Sequence, residues 1–323
     1  MRRPHRLLLA AFGATSLLVT TACGAAGQAS DEDARKLPAP VSVEHRFGTT
    51  TLDTVPERIV TIDLQWTDVM LSMGVEPVGY SVDTLMPETG VPWETIPEGA
   101  TALSLTDGVP VEQILALDPD LVVASFSLTD QATYDLLSAR VPTIAGPPDA
   151  DTVIPWQELV GTAGKILDKT EQATQVVSTV EGQVAATAAE LPGLAGKTFV
   201  LAQYVVGDGL TVVADEQDGS SLFFQQLGMT LLPEVKAEGE RTGDARIQLS
   251  TERIDLLRGD LLAFLINGGD ESDLADIPGF GELPGTVALL DYPTIVGLNT
   301  PSPLSLPYSL TQLRPHLDTA AAA

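Results

Sequence analysis

The sequence predicts an α/β fold of two similarly built lobes, each with a mainly parallel sheet, linked by a single long α-helix. Three observations carry this. Short apolar strands alternate with helix-length stretches along most of the 323 residues, the pattern of parallel sheets covered by helices. From Pro155 to Leu191 nothing breaks a helical stretch except tolerated glycines. Finally, Glu112, Ile114, Leu117, Asp120 and Leu121 recur without a gap as Glu252, Ile254, Leu257, Asp260 and Leu261.

In chain order, Arg2, Arg3 and Arg6 precede an apolar run from Leu7 to Val19 and then Thr20-Thr21-Ala22-Cys23, the three-part layout of a secretory signal. As a helix the run covers roughly 20 Å, short of the ~30 Å hydrocarbon core, so residues 1–22 fit a cleaved signal peptide. Cys23 is the only cysteine, which rules out a disulfide within the chain and places a lone thiol first after the cleavage point. Residues 23–40 are small, polar and proline-ended, and predict a flexible tether.

The N-terminal lobe is expected over 41–154. Arg58–Ile62 reads as a buried strand, Leu64–Met73 as a helix stopped by Gly74, and Pro77–Tyr80 as the next strand. Val111–Leu117 is helical, Leu121–Ala124 an apolar strand, Thr129–Ala139 helical and Pro142–Ala145 extended. The linking helix is expected over 155–191, opened by Pro155 at its first position; two helices broken near Gly164 or Lys169 are the alternative. In the C-terminal lobe, 192–323, Thr198–Ala202 restarts the pattern, Ser220–Leu227 is helical, and Thr251–Ile266 is a helix followed by a strand. Each copy of the repeat puts an exposed acid at a helix start, apolar residues on its inner face and an acid just before a strand.

Loss of the signal removes three arginines and no acid, so 17 basic residues become 14 against 44 acidic ones and the formal charge goes from −27 to −30. A field of that sign repels phosphate backbones, so no nucleic-acid partner is expected. There is no G-x-S-x-G elbow, P-loop or H-E-x-x-H. Beyond the signal the histidines are His45 and His316, at opposite ends, which disfavours direct capture of bare metal and so predicts no metal site in the protein.

Three stretches, PERIVTIDLQWTDVMLSMGVEPVGY, VPVEQILALDPDLVVASF and LSTERIDLLRGDLLAFLI, resemble the iron-siderophore and cobalamin binding proteins of ABC importers, within residues 45 to 266. The ending PLSLPYSLTQLRPHL resembles that family's last helix. The resemblance implies a class III periplasmic binding protein-like fold and a binding protein, not an enzyme. It also implies a monomer that captures a ferric siderophore between its lobes and hands it to an ABC permease dimer with its ATPase. In this family one glutamate per lobe meets the permease; the matching positions are Glu112 and Glu252. The cleavage region resembles a bacterial lipobox, implying a lipid on Cys23, a membrane anchor and a place outside the cytoplasm, on the outer face of the cytoplasmic membrane or in the periplasm. Cobalamin and haem, the latter held by Tyr80 or Tyr204, are alternative ligands; a secreted enzyme or an adhesin is the alternative of another class.

A ligand between two α/β lobes lies at the carboxyl ends of their strands. The candidates there are Trp66, Tyr80, Phe126, Tyr204 and Asn267, aromatic for the most part and suited to the organic shell of a chelate. Trp93, in a proline-rich loop, and Trp156, at the start of the linking helix, are further wall candidates. Arg241 and Arg246, flanking Thr242–Ala245, are the cationic candidates. Ser125-Phe126-Ser127 and Asn267-Gly268-Gly269 lack basic residues, which favours a neutral or weakly charged hydroxamate or mixed chelate over a triscatecholate.

Overall fold

A computed structural model describes residues 35–83, 86, 90–148 and 154–323. The signal peptide, the lipidation candidate Cys23 and the tether as far as residue 34 lie outside the described residues. The chain enters on an antiparallel hairpin, β1 (Lys36–His45) and β2 (Gly48–Thr54). The tether expected to reach residue 40 therefore ends earlier: Lys36 pairs with Thr54 and Leu37 is buried in the core. The pairing register shifts between Lys36 and Val41, an irregularity that accommodates Pro38 and Pro40, which have no N–H to give a ladder.

The first lobe continues through β3 (Ile59–Thr61), α1 (Leu64–Ser72), β4 (Gly79–Val82), β5 (Thr101–Ser104), α2 (Val111–Ala116), β6 (Leu121–Val123), α3 (Gln131–Ser138) and β7 (Thr143–Ile144). Its sheet runs β5-β4-β3-β6-β7, all parallel. Ile59, Leu121 and Val123 enter one apolar cluster, while Val60, Ile62, Val122 and Ala124 enter another. Alternate side chains thus fill opposite faces, and both faces are covered, which is why these strands read as unbroken apolar runs.

The linking segment is two helices, α4 (Trp156–Ile166) and α5 (Thr170–Glu190); the single helix expected over 155–191 is corrected. Asp168 takes a left-handed φ of 55°, a conformation that Asp tolerates better than most residues, and reverses the chain. Gly164 makes the reversal tight, since a Cβ there would lie 2.5 Å from the Ala173 Cβ and 3.3 Å from the Thr170 Cα. Lys169 fastens the corner by donating its Nζ to the Met73 carbonyl at 2.8 Å. α5 alone carries the chain onward, over about 31 Å at 1.5 Å per residue.

The second lobe contains β8 (Thr198–Val205), β9 (Gly209–Val213), α6 (Gly219–Gln226), β10 (Thr230–Leu231), α7 (Pro233–Thr242), β11 (Arg246–Leu249), a 3₁₀ segment (Thr251–Leu257), β12 (Leu261–Asn267), β13 (Thr286–Leu290), α8 (Tyr292–Asn299) and α9 (Ser305–Ala322). Its sheet order is β11-β9-β8-β12-β13, with β10 also beside β8. β10, β12 and β13 pair in parallel, whereas β9 runs antiparallel to both of its neighbours, β8 and β11. The two lobes share one internal register. Ile59 pairs with Leu121 in β3 and β6, and Phe199, 140 positions after Ile59, pairs with Leu261, 140 positions after Leu121.

The repeated acids share a role as well. Asp120 accepts the Glu57 and Arg58 backbone N–H groups at 2.7 and 2.9 Å, just before β3. Asp260 accepts the Thr198 N–H at 2.7 Å and its hydroxyl at 2.8 Å, where β8 begins. Glu112 and Glu252 are both exposed and both precede a buried isoleucine by two residues. The copies differ in their helices: Glu112 lies on α2, but Glu252 lies on the 3₁₀ segment, where Arg253 departs from helical backbone angles.

Gly164→Ala is expected to lower stability by about 1–3 kcal/mol through overpacking of the corner. Gly161→Ala, facing open space on the same helix, should be neutral or gain up to ~1 kcal/mol. Urea unfolding midpoints of the two variants provide the check, and equal effects would refute the tight corner.

Candidate functional site

The lobes meet along a seam built on the turn after β3. Asp63, two residues past that strand, caps α1 by accepting the Trp66 N–H at 3.2 Å. It also accepts the Ser125 backbone N–H and, at 3.3 Å, the Ser125 hydroxyl, tying the turn after β6 to the turn after β3. Burial pushes its carboxyl up to about 6 despite these hydrogen bonds.

The next turn of α1 reaches the other lobe. Gln65 donates to the Pro301 carbonyl at 3.0 Å, and Ser302 donates its hydroxyl to Asp68 at 2.5 Å. Trp93 Nε1 donates to both oxygens of Asp68, at 3.2 and 3.0 Å, and its ring lies 5.2 Å from that of Tyr308. Ser302 in turn accepts the Leu304 and Ser305 N–H groups at 3.1 and 2.9 Å, so the α8–α9 turn is organised around the same hydroxyl. Glu94 lies beside Asp68. Burial raises both carboxyls above their ordinary values, and the Asp68 charge raises Glu94 further. Sharing one proton between the two removes the cost of two buried like charges. Elsewhere along the seam, the Tyr292 hydroxyl donates to Asp83 at 3.0 Å, and burial with that carboxylate pushes the phenol up to about 12.

Where α4 begins, the seam opens into a cavity of about 390 Å³. One wall is Ile154, Pro155, Trp156 and Gln157. The other is the segment before α6 and its first turns, from Asp215 and Gln217 through Asp218, Leu222 and Phe223 to Gln226, with Ala245, Pro301 and Leu306 between them. Asp218 caps α6 by accepting the Ser220 N–H at 3.0 Å and its hydroxyl at 2.5 Å. α6 sits close on the α8–α9 connection because it opens with Gly219, where a Cβ would lie 2.9 Å from the Pro301 Cγ. Leu222 keeps 37% of its surface exposed, so the mouth presents an apolar face to water.

The predicted site residues divide accordingly. Trp156 lines the cavity. Arg246 stands at its edge, paired with Asp218 at 2.9 Å and donating to the Asn299 side chain at 3.0 Å. Trp93 belongs to the seam, with its N–H committed to Asp68. Tyr80 is half-buried on β4, Asn267 half-buried at the end of β12, and Phe126 is 54% exposed after β6. Among the described residues, no hydrogen bond or ring contact joins these three to one another.

Three expectations are corrected by position. Trp66 and Tyr204 are buried and absent from the cavity lining; α1 and β8 turn these rings into the core. Arg241 is 67% exposed on α7 and forks onto Glu238, at 3.0 and 2.9 Å, away from the cavity lining. The cavity's acids and its Leu222, Phe223, Pro301 and Leu306 wall were not anticipated. Their one sequence signal is Asp218-Gly219-Ser220 ahead of an apolar run, which marks a helix start but not a cavity.

Comparison with known proteins places this geometry among relatives. The family described as periplasmic binding protein matches residues 59–280. The chain is similar to the probable siderophore-binding lipoprotein YfiY of Bacillus subtilis, with 23% identity over 228 residues, covering 69% of this chain and 66% of YfiY, just under two thirds of its length. A periplasmic solute binding protein from Mycobacterium smegmatis superposes with a TM-score of 0.73 and 26% identity, over 87% of this chain and 99% of that one. Streptococcus pneumoniae PiaA in complex with ferrichrome does so with a TM-score of 0.71 and 24% identity, over the same shares.

The carboxyl pair has a pH signature. Groups whose folded pKa is raised stabilise the fold at low pH, and that contribution is lost as pH rises above their ordinary values of 3.8 and 4.5. Glu94→Gln keeps a donor for Asp68 without an ionisable proton. Between pH 6 and 9 the variant's melting temperature is therefore expected to fall less than that of the unmodified protein; a matching or steeper fall would refute the shared proton.

Proposed function

Because the chain belongs to the periplasmic binding protein family, we propose that it is an extracytoplasmic solute-binding lipoprotein, anchored through Cys23, that captures a ferric siderophore between its lobes and delivers it to an ABC importer. The observation that carries this reading is the seam. Two lobes of matching register meet through a few buried hydrogen bonds and leave, beside them, a cavity walled by Trp156, Leu222 and Phe223. A pocket with apolar and aromatic walls and a few polar groups suits the organic shell of a metal chelate. YfiY and the ferrichrome complex of PiaA support the choice of cargo. The protein acts as a carrier rather than an enzyme.

Delivery assigns Glu112 and Glu252 to the permease. Each is exposed at the start of a short helical segment, one per lobe, at equivalent positions of the repeat. Two carboxylates on separate rigid supports set orientation and encounter rate through charge pairing.

Titration of the purified protein with a panel of ferric siderophores, followed by tryptophan fluorescence, is expected to give a saturable change as ligand covers Trp156. A flat response to every chelate would overturn the reading. The double variant Glu112→Ala, Glu252→Ala is expected to retain ligand affinity and lose siderophore-dependent iron uptake by cells. Weakened ligand binding, or unchanged uptake, would remove both residues from docking.

A further inference from the structure

The charge of the cavity wall narrows the cargo, and this rests on the function proposed above. Three acids, Asp215, Glu216 and Asp218, lie in the segment that leads into α6. Two of them are compensated: Glu216 by Lys236 at 2.5 Å and Asp218 by Arg246 at 2.9 Å. Both cations are held by those acids, and Arg246 is further engaged by Asn299. Asp215 differs. Its Oδ1 accepts the Gln217 N–H at 2.9 Å; the Lys236 ammonium, seated on Glu216, feels the Asp215 charge as well as those of Glu216 and Glu240, and among the described residues no lysine, arginine or histidine forms an ion pair with Asp215.

The described lining contains no basic side chain at all: its polar members are Gln157, Asp215, Gln217, Asp218 and Gln226. A carboxylate with no ion pair of its own therefore stands opposite Trp156 and on the same wall as Leu222, in a chain of formal charge −27. Such a site repels an anionic chelate. It favours one with a neutral metal core and a cationic arm, because the arm's charge is satisfied at a partly desolvated carboxylate while its methylenes lie on apolar surface. The start of α6 contributes the opposite sign, but Asp218 and the Ser220 N–H already satisfy each other there.

We propose that the cavity receives a protonated amine arm of a ferric hydroxamate-type chelate, and that Asp215 is the residue that selects for it. The test uses one linear trishydroxamate iron complex in three forms: with a free primary amine, with that amine acetylated, and with it succinylated to a carboxylate. Affinities are measured by fluorescence quenching or calorimetry for the unmodified protein and for Asp215→Asn, whose side-chain oxygen can still accept the Gln217 N–H. The amine form is expected to bind about tenfold more tightly than the acetylated form and the succinylated form most weakly, with the gaps narrowing in high salt. Asp215→Asn should abolish the amine preference, the amine form losing about tenfold more affinity than the acetylated one. Equal affinity for the three forms, or an equal loss for all of them in Asp215→Asn, overturns the inference while leaving a siderophore carrier intact. Failure of all three forms while an anionic chelate binds also overturns it alone, whereas no binding of any chelate removes the carrier reading with it.

Discussion

A carboxylate buried in a protein must be given hydrogen bonds or a proton, and Asp68 obtains both from different parts of the chain. Ser302 of the second lobe and Trp93 of the first donate to it, and Glu94 lies close enough to share a proton. Loss of the Ser302 or the Trp93 donor would leave this buried carboxylate under-satisfied, at a cost of about 1–3 kcal/mol. The mutual placement of the lobes follows from this requirement. With α1 held on the α8–α9 turn, Pro301 is fixed against Gly219, α6 is fixed against Pro301, and the cavity between α6 and the start of α4 acquires its shape.

The central strands of the two sheets were legible because burial on both faces leaves little freedom of composition: Ile59-Val60-Thr61 and Leu121-Val122-Val123 could be little else. The hairpin of β1 and β2 was not, since Thr49, Thr50, Thr51 and the prolines near residue 40 carry no clear alternation. The bend between α4 and α5, near Lys169, stood only as the alternative to one long helix for a different reason. The residue that takes the left-handed conformation is Asp168, not a glycine, and Leu167 beside it continues the apolar pattern.

The candidate site was half legible. Trp156 could be placed at a cavity because Pro155 marks a helix start, and Arg246 because it adjoins a turn. Trp66 and Tyr204 follow the same logic of position after a strand, yet packing carried their rings inward. Sequence spacing locates a backbone and is blind to the direction a large side chain takes once its neighbours compete for the core. Asp215 illustrates the converse. In a chain with 44 acidic residues no single carboxylate stands out, and only the ion pairs of Glu216 and Asp218 show which neighbour has none of its own.

The common offset of 62 residues between Arg58 and Asp120, and between Thr198 and Asp260, links surface to interior. Each of these acids clasps the start of a central strand, so neither lobe can slide its outer helical segment without losing the clasp. The exposed acids at the starts of those segments, Glu112 and Glu252, are thereby each referenced to a central strand of their own lobe.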